Sequence, residues 1–153
     1  MTTLTKYLVI FFMSMVPIIE LRGAVPYGVA AGLPLIPILI VSILGNMVPV
    51  PFIILFIRKI FEWMKKREGF LRTVAVKLEE RALSKGGVIQ KYAAFGLYVL
   101  VAIPLPGTGA WTGALVAAIF QLKLRYAFPI IMAGVATAGI IMSVISYGVD
   151  MLI

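Results

Sequence analysis

The 153-residue chain is 62% hydrophobic and 13% charged, with a formal net charge of +8 and neither cysteine nor histidine. Soluble domains carry about a quarter charged residues, and the missing residue types exclude disulfides, thiolate chemistry, zinc–thiolate sites and an imidazole base. Four of the six acids (Glu62, Glu68, Glu79, Glu80) fall in one central segment, which leaves little from which to build a hydrolase or a metal enzyme. The expectation is a non-enzyme without a cofactor. The basic residues flank apolar runs, so anionic lipid headgroups suit them better than nucleic acid. Three stretches, 23–57, 92–122 and 126–149, hold no formal charge. Each exceeds the roughly 20 residues that cross a bilayer. An integral membrane protein with one domain over 1–153 is expected.

The first apolar run is YLVIFFMSMVPII, residues 7–19. With Lys6 ahead of it, it has the look of a signal peptide. No small-x-small pattern follows, so the run is expected to stay. It meets "ELRGAVP", residues 20–26, which places Glu20 and Arg22 in sequence that otherwise suits lipid. A charge at bilayer centre costs about 2.5–3.5 kcal/mol on insertion scales. Two readings stand. The pair could neutralise each other and fix a turn. Alternatively, both could face a polar cavity, Arg22 holding an anion and Glu20 exchanging a proton. Residues i and i+2 do not share a helix face. An irregular turn through Gly23 would bring both side chains together, with Pro26 opening the returning helix, where a missing N–H costs nothing.

The uncharged chain then runs past Pro34 and Pro37 to about Phe61. Arg58 to Lys91 holds ten Lys/Arg. Within it, FLRTVAVKLEERALSK (70–85) spaces Phe70, Val74, Leu78 and Ala82 as a helix face, and Gly86-Gly87 ends the pattern. This reads as an amphipathic helix on the membrane surface or as a solvated linker helix.

The second apolar run, AAFGLYVLVAI (93–103), meets "PLPGTGAWTG" (104–113). Pro104 and Pro106 lack the N–H of a continuous helix, and Gly107 and Gly109 tolerate backbone angles that other residues avoid. The N–H groups of Gly107, Thr108, Gly109 and Ala110 could form a concave donor cluster for an anion. Its occupant could be the Glu20 carboxylate or a substrate's anionic group. Trp111 reads as packing or an interface anchor. ALVAAIFQ (114–121), the basic KLR (123–125) and a last apolar segment complete the chain.

The same parts therefore occur twice in the same order: repeat one 1–61, a basic segment 62–91, repeat two 92–153. Eleven to thirteen helical residues cover about 17–20 Å, short of a ~30 Å hydrocarbon core. Each short run could be part of a tilted, kinked helix. The charges favour a re-entrant hairpin in each half. The chain then crosses twice, and Lys123 and Arg125 join the basic segment on the cytoplasmic side. The expected fold is all-α: two inverted-topology repeats, each a re-entrant helical hairpin plus one transmembrane helix, with both termini outside.

Glu-x-Arg-Gly-Ala-x-Pro in the first half, PLPGTGAWxG in the second and a basic middle together resemble the small multi-drug export protein family of prokaryotes. More distantly, opposed hairpins with a midplane acid and Arg resemble the DedA/VTT superfamily of lipid transporters. The resemblance implies a multi-pass exporter in the cytoplasmic (inner) membrane. The residues assigned to substrate or ion binding are Glu20, Arg22, Gly23, Pro26, Pro104, Pro106, Gly107, Thr108 and Gly109. The expected substrate is a membrane lipid or small amphipathic molecule with an anionic, lipid-phosphate-like group, with protons as a coupling ion. A cationic drug exporter and a non-transporting scaffold are the rivals. Monomer and homodimer both remain open.

Overall fold

The computed structural model describes the backbone except at Met1, Arg67, Glu68, Lys85, Pro106, Gly107, Gln121 and Ile153. The side chains of residues 75, 78, 79, 81–84, 86–91 and 150 also lie outside the description. The described residues form helices only: α1 (Thr3–Met15), α2 (Glu20–Ala30), α3 (Leu35–Met47), α4 (Pro49–Lys66), α5 (Phe70–Ser84), α6 (Gly86–Ala102), α7 (Ala110–Ile119) and α8 (Leu124–Leu152).

Two stretches are long and apolar enough to cross a membrane, Leu35–Lys66 and Leu124–Val149. The first is α3 and α4 joined at Val48, whose backbone is helical. Pro49 and Pro51 remove the donors that the Gly45 and Met47 carbonyls would use, which explains a joint here. α1 and α7, at 13 and 10 residues, are too short to cross. α6 begins at Gly86, before the basic segment was expected to end, and its apolar part is Tyr92–Ala102. α5 coincides with the expected surface helix, and Phe70 on it is 81% exposed.

Each half is a helical hairpin against a long helix. α1 packs on α3, as α6 packs on α8; the returning helices cross over, α2 onto α8 and α7 onto α4. Glycine allows the closest approaches. A Cβ on Gly45 would collide with the Phe11 carbonyl of α1, and one on Gly134 would lie 2.7 Å from Val101 of α6. The returning helices bury small residues: Ala24 and Gly28 on α2; Ala110, Gly113, Ala114 and Ala117 on α7. Small side chains suit close helix contacts in lipid, where dispersion replaces the hydrophobic driving force.

Two cations cap turns at opposite ends of the bundle. Lys6 Nζ donates to the Ala31 carbonyl at 3.0 Å, just past α2. Arg58 donates to the Leu122 carbonyl, past α7. Positive charge is favourable at helix C-termini. The bundle thus has a Lys6 end, with Ala31, and an Arg58 end, with Leu122 and the neighbouring Lys123 and Arg125.

Candidate functional site

The two hairpin tips meet inside the bundle. α1 stops at Met15; the turn through Pro17 is closed by Glu20 N–H donating to the Val16 carbonyl at 2.9 Å. Glu20 then opens α2 with φ +46, the one positive φ at a non-glycine among the described residues. Such a conformation is uncommon off glycine and persists only where its surroundings enforce it. The residue is only 2% exposed.

What enforces it lies 91 residues on. Glu20 Oε1 accepts the Trp111 N–H at 3.2 Å, with the Ala110 N–H close beside the carboxylate. These are first-turn amides of α7, which lack intrahelical acceptors and sit at the positive end of the helix. The carboxylate of one hairpin therefore caps the helix of the other. Gly109 makes room for it. Its φ is +122, and a Cβ built there would fall on Glu20 Oε2 and 2.9 Å from Cδ.

Arg22 is tied to the same loop. It donates to the Thr108 carbonyl and, at 2.9 Å, to Thr108 Oγ1. That hydroxyl lies 2.7 Å from the Ile103 carbonyl and 2.8 Å from that of Leu105, so Thr108 knots the turn while receiving the guanidinium. Trp111 adds a third tie: its Nε1–H donates to the Met15 carbonyl at 3.0 Å. The bonds of Glu20 and Arg22 thus run to hairpin two rather than to each other.

Of the expected site residues, Glu20, Arg22, Pro104, Thr108 and Gly109 come together here. Pro106 and Gly107 lie outside the described residues. Gly23 faces Ile19 of its own turn, away from the junction. Pro26 departs from expectation: it lies inside α2, six residues past the start, rather than opening the returning helix. Helix begins at Glu20 because the turn closes there, which leaves Pro26 to remove the donor to the Arg22 carbonyl.

Two residues were missed. Trp111, on hairpin two, bonds the tip of hairpin one twice, through its backbone N–H to Glu20 and through its ring to Met15. Asn46 is 2% exposed, and its Oδ1 has no hydrogen-bond partner. Its only signal in sequence was an amide in a 35-residue uncharged run. Asn46 lines a cavity of ≈ 10 Å³ with Glu20, Arg22, Pro104, Gly109 and Met142. That is about the space one water needs, and far less than a lipid headgroup would fill. No group of three or more metal-ligating side chains occurs among the described residues.

Comparison with curated proteins and with solved structures found no match. A family model for small multi-drug export proteins matches residues 20–141, from Glu20 through both hairpin tips into α8. The match covers well over half the sequence, and its first residue is the buried acid of the junction. With its apolar helices and paired hairpins, the chain belongs to the small multi-drug export protein family, a family of membrane exporters rather than enzymes.

Proposed function

We propose that the chain is a secondary exporter of amphipathic anions, built from two inverted-topology halves whose re-entrant hairpins meet at mid-membrane. One observation carries the reading. An anion-binding helix N-terminus, flanked by an arginine, is filled by the protein's own carboxylate. A substrate phosphate or carboxylate would compete with Glu20 for the α7 amides and Arg22. Glu20 yields most easily when it takes a proton, since a neutral carboxyl holds an amide less strongly than a carboxylate does. Anion and proton then bind in the same state, and acidifying the side that holds the substrate should speed its flux.

The packing supports the two halves. Exchanging them maps α1·α3 onto α6·α8 and α2·α8 onto α7·α4. Lys123 and Arg125 sit at the Arg58 end, as two re-entrant hairpins require. A groove of ≈ 620 Å³ between α4 and α7 supports the substrate class. It is lined by Pro49, Phe52, Phe56, Trp111 and Lys59, apolar along its length with a cation toward the basic segment.

A second reading rests on Glu20 being, with Asp150 near the end of α8, one of only two acids outside the basic segment. A cationic drug would pair with the ionised carboxylate, and protonation would release it. Proteoliposomes separate the two. Fluorescent short-chain phosphatidic acid should move faster with acid on its own side. Arg22→Gln should abolish that movement, and Glu20→Gln should keep it without the pH dependence. Ethidium flux slowed by acid on its own side, and lost in Glu20→Gln, would favour the drug reading. Flux of neither probe above empty liposomes would leave a scaffold.

A further inference from the structure

We infer that, in the conformation with Glu20 seated against α7, Glu20 communicates with water from the Lys6 end of the bundle only, along a path between α2 and α8 with Ser146 and Asn46 as its polar steps and Met142 as its gate. The inference rests on the reading that Glu20 takes up a proton.

The described residues contain three buried side-chain polar atoms without a partner: Ser42 Oγ, Asn46 Oδ1 and Ser146 Oγ. A buried polar atom without a partner costs stability, so their placement has to be explained. Asn46 lines the small cavity beneath Glu20 and Arg22. Ser146 lines a separate groove of ≈ 300 Å³ between α2 and α8, with Pro26, Val29, Ala30, Ile145 and Val149. Met142 lines both spaces. It stands one helical turn from Ser146 on the same face of α8. An unbranched thioether with three rotatable bonds can swing aside with little strain. Pro26, which cannot donate to the Arg22 carbonyl, lines the same groove and leaves a further acceptor along α2.

The direction is set by the helices. A Cβ on Gly139 would lie 3.3 Å from Leu21, while Ala30 and Val149 share the groove, so α2 and α8 run side by side in parallel. Ala30, at one end of the groove, is followed by Ala31, whose carbonyl receives Lys6. No unpartnered buried atom lines the α4/α7 groove that leads to the Arg58 end. Among the described side chains, Glu20 and Arg22 are the only charged ones lining either the small cavity or the α2/α8 groove. Water in the small cavity would donate to Asn46 Oδ1 and pass the proton to the Glu20 carboxylate.

Because the chain has no native cysteine, the path can be mapped with silver ion, read as protection from later N-ethylmaleimide labelling in sealed vesicles. Thr3→Cys marks the Lys6 end. Ser146→Cys and Ala138→Cys report the groove and the small cavity, and Ala138→Cys stands in for Asn46→Cys should that variant not fold. All are expected to react from the Thr3 side alone. Adding Met142→Trp should slow reaction at 138 at least tenfold without changing it at 146. Reaction at 138 from the opposite side, from neither side, or at a rate indifferent to Met142→Trp would overturn the path. Asn46→Leu supplies a second readout. Exchanging an unpartnered amide for an apolar group of similar size should leave melting unchanged or raise it; a lower melting point would make Asn46 structural and refute its role. None of these measurements needs a transported substrate, so they judge the path even if both flux probes fail.

Discussion

Gly109→Ala tests the junction most directly. The substitution forces alanine to φ +122 and drives a methyl onto the Glu20 carboxylate. The backbone term is about 1–3 kcal/mol for a residue held in a sparsely populated region. Displacing the carboxylate from the α7 amides adds about 1.5–3 kcal/mol, the range for hydrogen bonds to charged groups. The sum, about 2.5–6 kcal/mol, corresponds to a fall in Tm on the order of 10 °C for a chain of this size. Gly32→Ala is the control: its φ is +74 but nothing lies within 4 Å of the added methyl, so only strain of about 1–2 kcal/mol applies. The cycle is completed with Glu20→Gly, which removes the carboxylate and relaxes the +46 backbone. Melting of the purified protein in detergent, followed by tryptophan fluorescence, should show that Gly109→Ala costs about 1.5–3 kcal/mol less in the Glu20→Gly background than in the parent. Equal cost in both backgrounds would mean that the carboxylate does not occupy the space beside Gly109, and the capping of α7 by Glu20 would be wrong.

Trp111→Phe keeps an aromatic side chain, though a smaller one, but loses the bond to Met15, and should lower Tm by at least roughly 2–4 °C, about 1 kcal/mol; an unchanged Tm would show that the bond is not formed. Gly45→Ala should destabilise more than Gly134→Ala. The first methyl strikes the Phe11 backbone carbonyl and the second a valine side chain, and only side chains adapt readily within the usual cost of overpacking, about 1–3 kcal/mol. The reverse order would contradict the α1–α3 packing. Thiol labelling of Thr3→Cys and Lys123→Cys in intact cells should find position 3 outside and position 123 inside; both on one side would rule out the two-crossing topology.

Much of the site was legible because its chemistry is conspicuous against lipid. Glu20 and Arg22 interrupt an apolar run, and the prolines and glycines of 104–109 interrupt another, so both breaks show without any knowledge of contacts. The helix boundaries near them were less legible. Pro26 favours a helix start by local preference, but the closed turn at Val16–Glu20 places the start six residues earlier. Asn46 and Trp111 were missed for a different reason. An amide in an apolar run and an indole near a break take their meaning from what lies opposite, and that is set by how α3 and α7 are rotated against the other half. The crossing of α2 onto α8 and α7 onto α4 is likewise a long-range choice that periodicity within one helix does not encode.

The separation of 91 residues between Glu20 and Trp111 also sets a schedule for biosynthesis. At ribosomal rates of about 5–20 residues per second, the acid is made roughly 5–20 s before the amides that will hold it. Through that interval hairpin one has neither the α7 amides nor α8, made later still, to cover α2. Its buried face and its two charges must wait at the insertion machinery or near the lipid–water boundary, where charge is tolerated at lower cost than at bilayer centre. The first half is therefore an incomplete unit when it emerges, and the second half, on arriving, supplies the walls and the hydrogen-bond donors that let it settle in the membrane.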